Sequence, residues 1–274
     1  MKNILVTGAG GGMGAAICRA LTNSGYRVFG IDKRLSGDDD LPYKLFACDV
    51  TDESAILGVR DAIADEVGEL FAVVHTAGIY DLDSLVEIDE RRFMRIFDIN
   101  LFGVYRINKA FLPLMKAGSR IVITTSELAP LDPLPFTGLY AITKSALEKY
   151  AASLRMELTL LGISVSIIRP GATETSLLGD STTALDKFTR TTALYPVNAE
   201  KFKKIVDSVE SKKIPSERIG RLALKAISAK TPRLVYNINR NPLLLILNAL
   251  PDRLQIFIIS KILKNKKSEK RTLK

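Results

Sequence analysis

The sequence is short of histidine and cysteine, and it has no long apolar run. His75 is the only histidine among 274 residues, so no histidine cluster can hold a metal ion. Cys18 and Cys48 are the only cysteines, one expected in a helix and one at a strand end. That argues against a disulfide framework and makes a cytoplasmic setting the expectation. The N-terminus MKNILVTGAGGG enters a strand and then glycines, without the apolar stretch and cleavage site of a signal peptide. No apolar run reaches the roughly twenty residues of a spanning helix. No basic stripe with interleaved aromatics occurs, which argues against nucleic acid. No internal repeat is visible.

What is present suits one large α/β domain or two small ones. Apolar residues make up 47% of the chain, enough for a sizeable core. The net charge of +9 is uneven. After residue 260, Lys261, Lys264, Lys266, Lys267, Lys270, Arg271 and Lys274 face Glu269 alone, which leaves the rest of the chain close to neutral. Such a tail suits an anionic membrane surface or an acidic partner, or is simply a solvated end.

Short apolar runs alternate with amphipathic stretches, the pattern of a parallel sheet with helices on both faces. Strands are expected at 3–7, 27–32, 44–48, 71–76, 119–125, 164–170 and 233–237. Helices are expected near 13–24, 53–66, 88–116, 138–161, 199–211 and 215–229. The Ser/Thr-rich stretch from Ala172 to about Val197 reads as an irregular loop, of a length that usually serves function. After it, NPLLLILNALPDRLQIFIISKILK carries two apolar runs split by Pro251, Asp252 and Arg253. Two short helices are expected there, lying on the protein or in a membrane interface.

TGAGGGMG, residues 7 to 14, follows the first strand and opens a helix. Gly8, Gly10, Gly11, Gly12 and Gly14 let main chain approach a phosphate, and the helix start adds unpaired N–H groups. Asp32 ends the second strand, where a carboxylate can accept from both adenosine ribose hydroxyls and repel a 2′-phosphate. This favours NAD(H), with NADP(H) left open because Lys33 and Arg34 follow and can offset the repulsion. Asp49, after the third strand, can bond the adenine edge, while Thr51 or Asp52 caps the next helix. In HTAG, Ala77 and Gly78 leave no bulk where main chain passes a dinucleotide.

Tyr140 and Lys144 stand at i and i+4 of one helix, about 6 Å apart along its axis. A nearby ammonium favours phenolate, so the pair is expected to form an acid/base working near neutrality. Ser126 ends a strand and can donate to a substrate oxygen beside the phenol. Asn100 is a polar residue in an apolar helix, and its amide could hold a water linking Lys144 to solvent.

With TGAGGGMG, CDVTD, HTAG, Asn100, Ser126, Tyr140–Lys144 and RPGATET (169–175) in order, the chain resembles the short-chain dehydrogenase/reductase family over about residues 1 to 240. The resemblance implies a doubly wound, seven-stranded Rossmann sheet, NAD(P)(H), and hydride transfer at a carbonyl or alcohol. It implies that Tyr140 exchanges the proton, Ser126 polarises the oxygen, and Lys144 bonds the nicotinamide ribose and depresses the tyrosine pKa. Asn100 would complete a proton relay. Pro170 and Gly171 would pass along the nicotinamide and Thr175 bond its carboxamide. Met13, Lys33, Val50 and Thr173 join the cofactor set. Two features depart from the family pattern: His75–Thr76 replaces a common pair of asparagines, and the Ser126–Tyr140 interval is one residue longer. Residues 1–240 are expected as one catalytic domain and 241–274 as an apolar helical extension with a basic tail. The extension is similar to tails of family members acting on lipophilic alcohols and ketones. Leu128, Leu177, Leu178 and Leu185 suggest an apolar substrate lining, with 172–197 as a lid. A homodimer or homotetramer and peripheral membrane contact through the extension are the expected associations.

Overall fold

A computed structural model describes residues 1–35, 40–174, 176–210 and 213–264, with main chain only at 176–183 and 209–210. Among them, strands β1 (Asn3–Thr7), β2 (Arg27–Asp32), β3 (Lys44–Ala47), β4 (Leu70–His75), β5 (Met115–Thr124), β6 (Ser164–Pro170) and β7 (Val235–Ile238) form one sheet. Its order is β3-β2-β1-β4-β5-β6-β7 and every pairing is parallel. The doubly wound sheet expected from the sequence is present. Its central strands are apolar on both faces because helices cover both. Ile4 and Val6 of β1 pack to one side, and Leu5 packs to the other.

The first face carries α1 (Gly12–Thr22) and α8 (Glu217–Ser228), whose Ile17, Leu21, Ile219 and Ala223 join one core cluster. The second face carries α2 (Glu53–Val67), α4 (Gly103–Phe111) and α5 (Gly138–Thr159). There Ile56, Ile63, Ile107 and Phe111 meet Leu5 and Val73, and Leu147 and Ala151 meet Ile121 and Val165. Asp52, not Thr51, caps α2, accepting from the N–H groups of Ser54 and Ala55 at 2.9 and 3.1 Å.

Two stretches differ from expectation. The single helix expected over 88–116 is divided. An α-helix α3 (Glu90–Phe97) passes into a π turn (Asp98–Phe102) before α4, and a 3-10 turn at Leu112–Leu114 leads into β5. Pro113 lacks the N–H that would continue α4. β5 pairs Met115 with Leu70, then shifts register so that Arg120 faces Ala72, so its regular part starts near the expected residue 119.

The expected loop at 172–197 instead holds helix α6 (Ser176–Thr191), followed by α7 (Pro196–Glu210), which starts on a proline. Ser, Thr and Gly favour helix weakly. Burial prevails: Leu185 and Phe188, three positions apart, enter a satellite core with Leu82, Ala199, Phe202 and Leu263. Phe136 sits among these aromatics, its ring centroid 4.8 Å from that of Phe188 and 5.5 Å from that of Phe202. The C-terminal pair of short helices is present as α9 (Pro242–Asn248) and α10 (Asp252–Leu263), divided at Pro251.

Candidate active site

Strand order reverses between β1 and β4, since β2 lies on one side of β1 and β4 on the other. In open parallel sheets that reversal leaves a crevice beyond the C-terminal strand ends. A cleft of about 1170 Å³ opens there. Gly8 begins its floor. It adopts φ +69°, and a Cβ on it would lie 2.7 Å from the Ala77 nitrogen. Gly14 is tighter still, because its Cβ would fall 2.0 Å from the Gly8 oxygen. The turn therefore brings β1, α1 and the β4 exit together through main chain alone.

Helix α1 starts into this cleft with Gly11 as its cap residue, no side-chain cap bond and no acidic residue in the first turn. Its leading N–H groups and positive end suit an anion. A Cβ on Gly11 would have only the Gly8 oxygen nearby, at 3.4 Å, so the loop presents open space to the cleft. Asp32 faces the same loop, accepting from Gly10 N–H at 3.0 Å and Arg34 N–H at 3.1 Å. The Lys33 ammonium pairs with Asp49 at 2.6 Å, and Arg34 beside it also lines the cleft. The other Asp49 oxygen accepts from the N–H and hydroxyl of Thr51, at 3.0 and 2.8 Å. The expected adenine partner thus has both oxygens engaged inside the protein, and these bonds hold its carboxyl below the usual range against some desolvation. A phosphate-bearing dinucleotide fits this donor set.

Further along the cleft, Tyr140 and Lys144 project from the first turns of α5, both buried. The Ser126 hydroxyl bonds the Tyr140 phenol and accepts from Leu128 N–H at 3.2 Å. The longer Ser126–Tyr140 interval therefore does not separate them. Phe136, in that interval, takes the left-handed φ of 67°. Thr125 points elsewhere, donating to Glu148 at 3.0 Å. The Lys144 ammonium lies 5.7 Å from the Tyr140 ring centroid and donates to the Thr124 carbonyl at 3.2 Å.

Burial, not the lysine, dominates the titration of this pair. Desolvation pushes the Tyr140 phenol up to about 12 despite the Ser126 bond, which is the reverse of the lowering expected from the sequence. Desolvation pulls Lys144 down to about 8, so its ammonium is itself held at a cost.

Asn100 lies behind the cleft wall in the π turn. Its Oδ1 accepts from Ile79 N–H at 2.8 Å, and its Nδ2 donates to the Ile79 carbonyl at 2.9 Å and to Thr143 at 3.2 Å. The amide expected to hold a water is thus occupied in clamping the segment after HTAG. Gly78 lies between the two groups: its Cβ would be 3.1 Å from Asn100 Oδ1 and 3.6 Å from Lys144 Nζ. In HTAG itself, the Thr76 hydroxyl donates to the Thr7 carbonyl at 2.6 Å, stitching β4 to β1. His75 is buried away from the cleft with Nε2 2.8 Å from Asn108, and burial pulls it down to about 4.

The cleft lining includes every residue proposed from the sequence for cofactor or chemistry except Asn100 and Thr175. That set holds Met13, Lys33, Val50, Ala77, Pro170 and Thr173 as well as the residues above. Thr175, Leu177, Leu178 and the tail beyond Lys264 lie outside the described residues and side chains. Sequence reasoning missed Tyr80, whose ring meets Tyr140 edge-on at 4.4 Å and which stands two residues after HTAG. It also missed Glu127, beside Ser126, and the apolar contributions of Phe202, Val206 and Leu244.

A family model described as short chain dehydrogenase matches residues 2–186. Estradiol 17-beta-dehydrogenase 2 of Rattus norvegicus is 30% identical over 190 residues, 65% of this chain and 50% of that protein. The chain thus spans about half the length of that relative. A 3-ketodihydrosphingosine reductase of Bacteroides thetaiotaomicron is 25% identical over 84% of each chain. Among solved structures, a short-chain dehydrogenase from Streptomyces avermitilis superposes with a TM-score of 0.77 at 25% identity, covering 95% of this chain and 96% of that one.

Proposed function

Since the chain belongs to the short-chain dehydrogenase family of NAD(P)(H)-dependent oxidoreductases, we propose that it uses NAD(H) to interconvert a carbonyl and a secondary alcohol on an apolar, steroid- or lipid-like substrate. One observation carries this reading. Ser126, Tyr140 and Lys144 converge on the cleft that the glycine loop opens into.

The bound nicotinamide supplies or accepts the hydride. Gly11, Gly12 and Met13 would offer N–H groups to the pyrophosphate, and Asp32 would meet the adenosine ribose. Val50 would lie at the adenine end, and Ala77, Gly78, Pro170, Gly171 and Thr173 would flank the remainder. Ser126 donates to the substrate oxygen and polarises it. Tyr140 gives that oxygen its proton in reduction and takes it back in oxidation. Lys144 would bond the second ribose and hold positive charge near the phenol. Asn100 acts by positioning, holding Ile79 and the main chain beside Lys144.

NAD(H) is favoured by the Asp32 carboxylate at the loop and by the pairing of Lys33 with Asp49. An apolar substrate is supported by Leu128, Leu134, Phe202, Val206 and Leu244 in the cleft lining, and by what the two curated relatives are named for. Residues 1–240 form the catalytic unit in this reading, with 241–274 as the extension. Exposed Phe102, Tyr105, Met156 and Leu160 on α4, the preceding π turn and α5 and its C-terminal end support a homodimer or homotetramer. Both cysteines are buried and unpaired, in keeping with a cytoplasmic setting.

The test is a titration of NADH against NADPH, followed by a panel of bulky apolar ketones with the tighter cofactor. NADH should bind more tightly, and Tyr140→Phe should lose at least about a hundredfold in kcat while still binding it. Tight NADH binding with no ketone or alcohol ever turned over would instead make the chain a dinucleotide-binding protein.

A further inference from the structure

Helices α9 and α10 expose far more apolar surface than a water-facing helix needs. Three of their polar residues bond the body, while Asp252, Arg253 and Lys261 stay exposed. Asn241 N–H donates to the buried Glu127 carboxylate at 2.6 Å, and the side chains of Asn248 and Gln255 both donate to Asp132, at 2.7 and 3.1 Å. Leu263 is buried in the satellite core, with its carbonyl accepting from Asn198 at 2.9 Å. Six of their large aliphatic and aromatic side chains nevertheless face outward. Leu243, Ile246, Leu254, Ile256, Phe257 and Ile262 are all exposed, Ile246 at 62% and Phe257 at 57%. A helix on a water-facing surface shows the opposite arrangement. Because polar bonds and Leu263 hold both helices from the inside, the outer face cannot turn inward to bury itself.

The charge around this face is of one sign at its C-terminal end. Lys261 and Lys264 are exposed there, and the ten residues that follow in sequence add Lys266, Lys267, Lys270, Arg271 and Lys274 against Glu269. No helix among the described residues is long and apolar enough to cross a membrane. Short apolar faces beside clustered lysines are the pattern of attachment to an anionic bilayer surface.

We propose that the outer face of α9 and α10 seats on an anionic lipid bilayer, with the apolar side chains in the headgroup–acyl boundary and the lysines over lipid phosphates and carboxylates. Leu244 of α9 lines the cleft one residue from the exposed Leu243. The seated helix therefore brings that part of the cleft to the lipid surface, where a lipophilic substrate resides. That last step rests on the proposed apolar substrate; the seating itself does not.

The full chain should be sedimented with phosphatidylcholine vesicles, with and without about a third phosphatidylserine. Binding should be at least about tenfold stronger to the anionic vesicles and should weaken at high salt. The double variant Ile246→Asp, Phe257→Asp should lose about tenfold or more of this binding. Its turnover of a short, water-soluble ketone should be unchanged. Lys261→Glu with Lys264→Glu supplies an independent arm should the first variant misfold, and it should weaken binding to anionic vesicles alone. Wild-type binding that neither variant weakens, or no binding to anionic vesicles, overturns the proposal. So does a lipid-free dimer that the Asp variant dissolves, since it assigns the face to a second copy. Vesicle binding that persists when no apolar ketone is reduced leaves the seating intact and removes the substrate reading.

Discussion

Beside the β1–α1 turn the cleft wall is main chain packed on main chain; elsewhere in the lining it is side chain packed on side chain. In the first part Gly8 and Gly14 leave less than an atom's width between neighbouring strands and helix. In the second, Leu134, Phe202, Val206 and Leu244 line the space, contributed by the loop before α5 and by α7 and α9. The difference is one of tolerance. Main chain cannot move aside without shifting a strand, whereas a side-chain wall can be recut one residue at a time. A shared cofactor suits the first kind of wall, and a changing substrate suits the second.

The sharpest attempt to break this contrast is Gly14→Ala. Its methyl would meet the Gly8 oxygen at 2.0 Å and the Thr76 hydroxyl at 2.8 Å. Denaturant unfolding should show a loss of about 3 kcal/mol or more, with NADH binding abolished. A variant that stays within about 1 kcal/mol of wild type would show that the loop gives way and that the contrast is misplaced.

Lys144→Met probes the ground between the two walls. Turnover should fall at least about a hundredfold. Stability should nevertheless rise, by roughly 1–3 kcal/mol at neutral pH, because a buried ammonium is removed. The sign follows from the lysine's folded value of about 8, below its ordinary 10.5. The unfolded chain binds more protons between those values, so the wild type regains stability as pH rises through that window. The gap between the two proteins in thermal melts at pH 7 should therefore close above pH 10, and a gap constant with pH would place the cost of Lys144 in packing instead.

Leu244→Ala should have the smallest effect. Its side chain is half-buried on the cleft wall. Stability should change by less than about 1 kcal/mol, while KM for a bulky ketone rises a few-fold at constant kcat. A fall in kcat instead would mean that the side-chain wall also positions the reacting carbon.

The same contrast governs what the sequence revealed. The glycine loop, Asp32 and the Tyr140–Lys144 pair were legible because each is a local pattern whose geometry follows from a strand end or a helix turn. β1, β2 and β6 were legible to the residue, since they are apolar runs ended by turn chemistry. Helix α6 was not legible, because Ser176–Thr191 is poor in helix formers and folds through Leu185 and Phe188 meeting residues distant in sequence. The role of Asn100 was misread because only the fold shows Ile79 against its amide. The Tyr140 titration was misread because sequence shows a neighbouring charge and hides the depth of burial.

The π turn at Asp98–Phe102 amounts to one residue more than an α-helix needs. An ordinary helix advances about 100° per residue, so the surplus residue lets α3 and α4 point their faces in different directions. Ile96 thereby turns toward Leu139 and Tyr140, while Ile107 and Phe111 turn toward the sheet. Deleting a single residue there would leave each half intact as a helix and yet swing one against the other like a misthreaded screw, unseating Asn100 together with Asp98, Ile99 and Phe102 on the cleft wall.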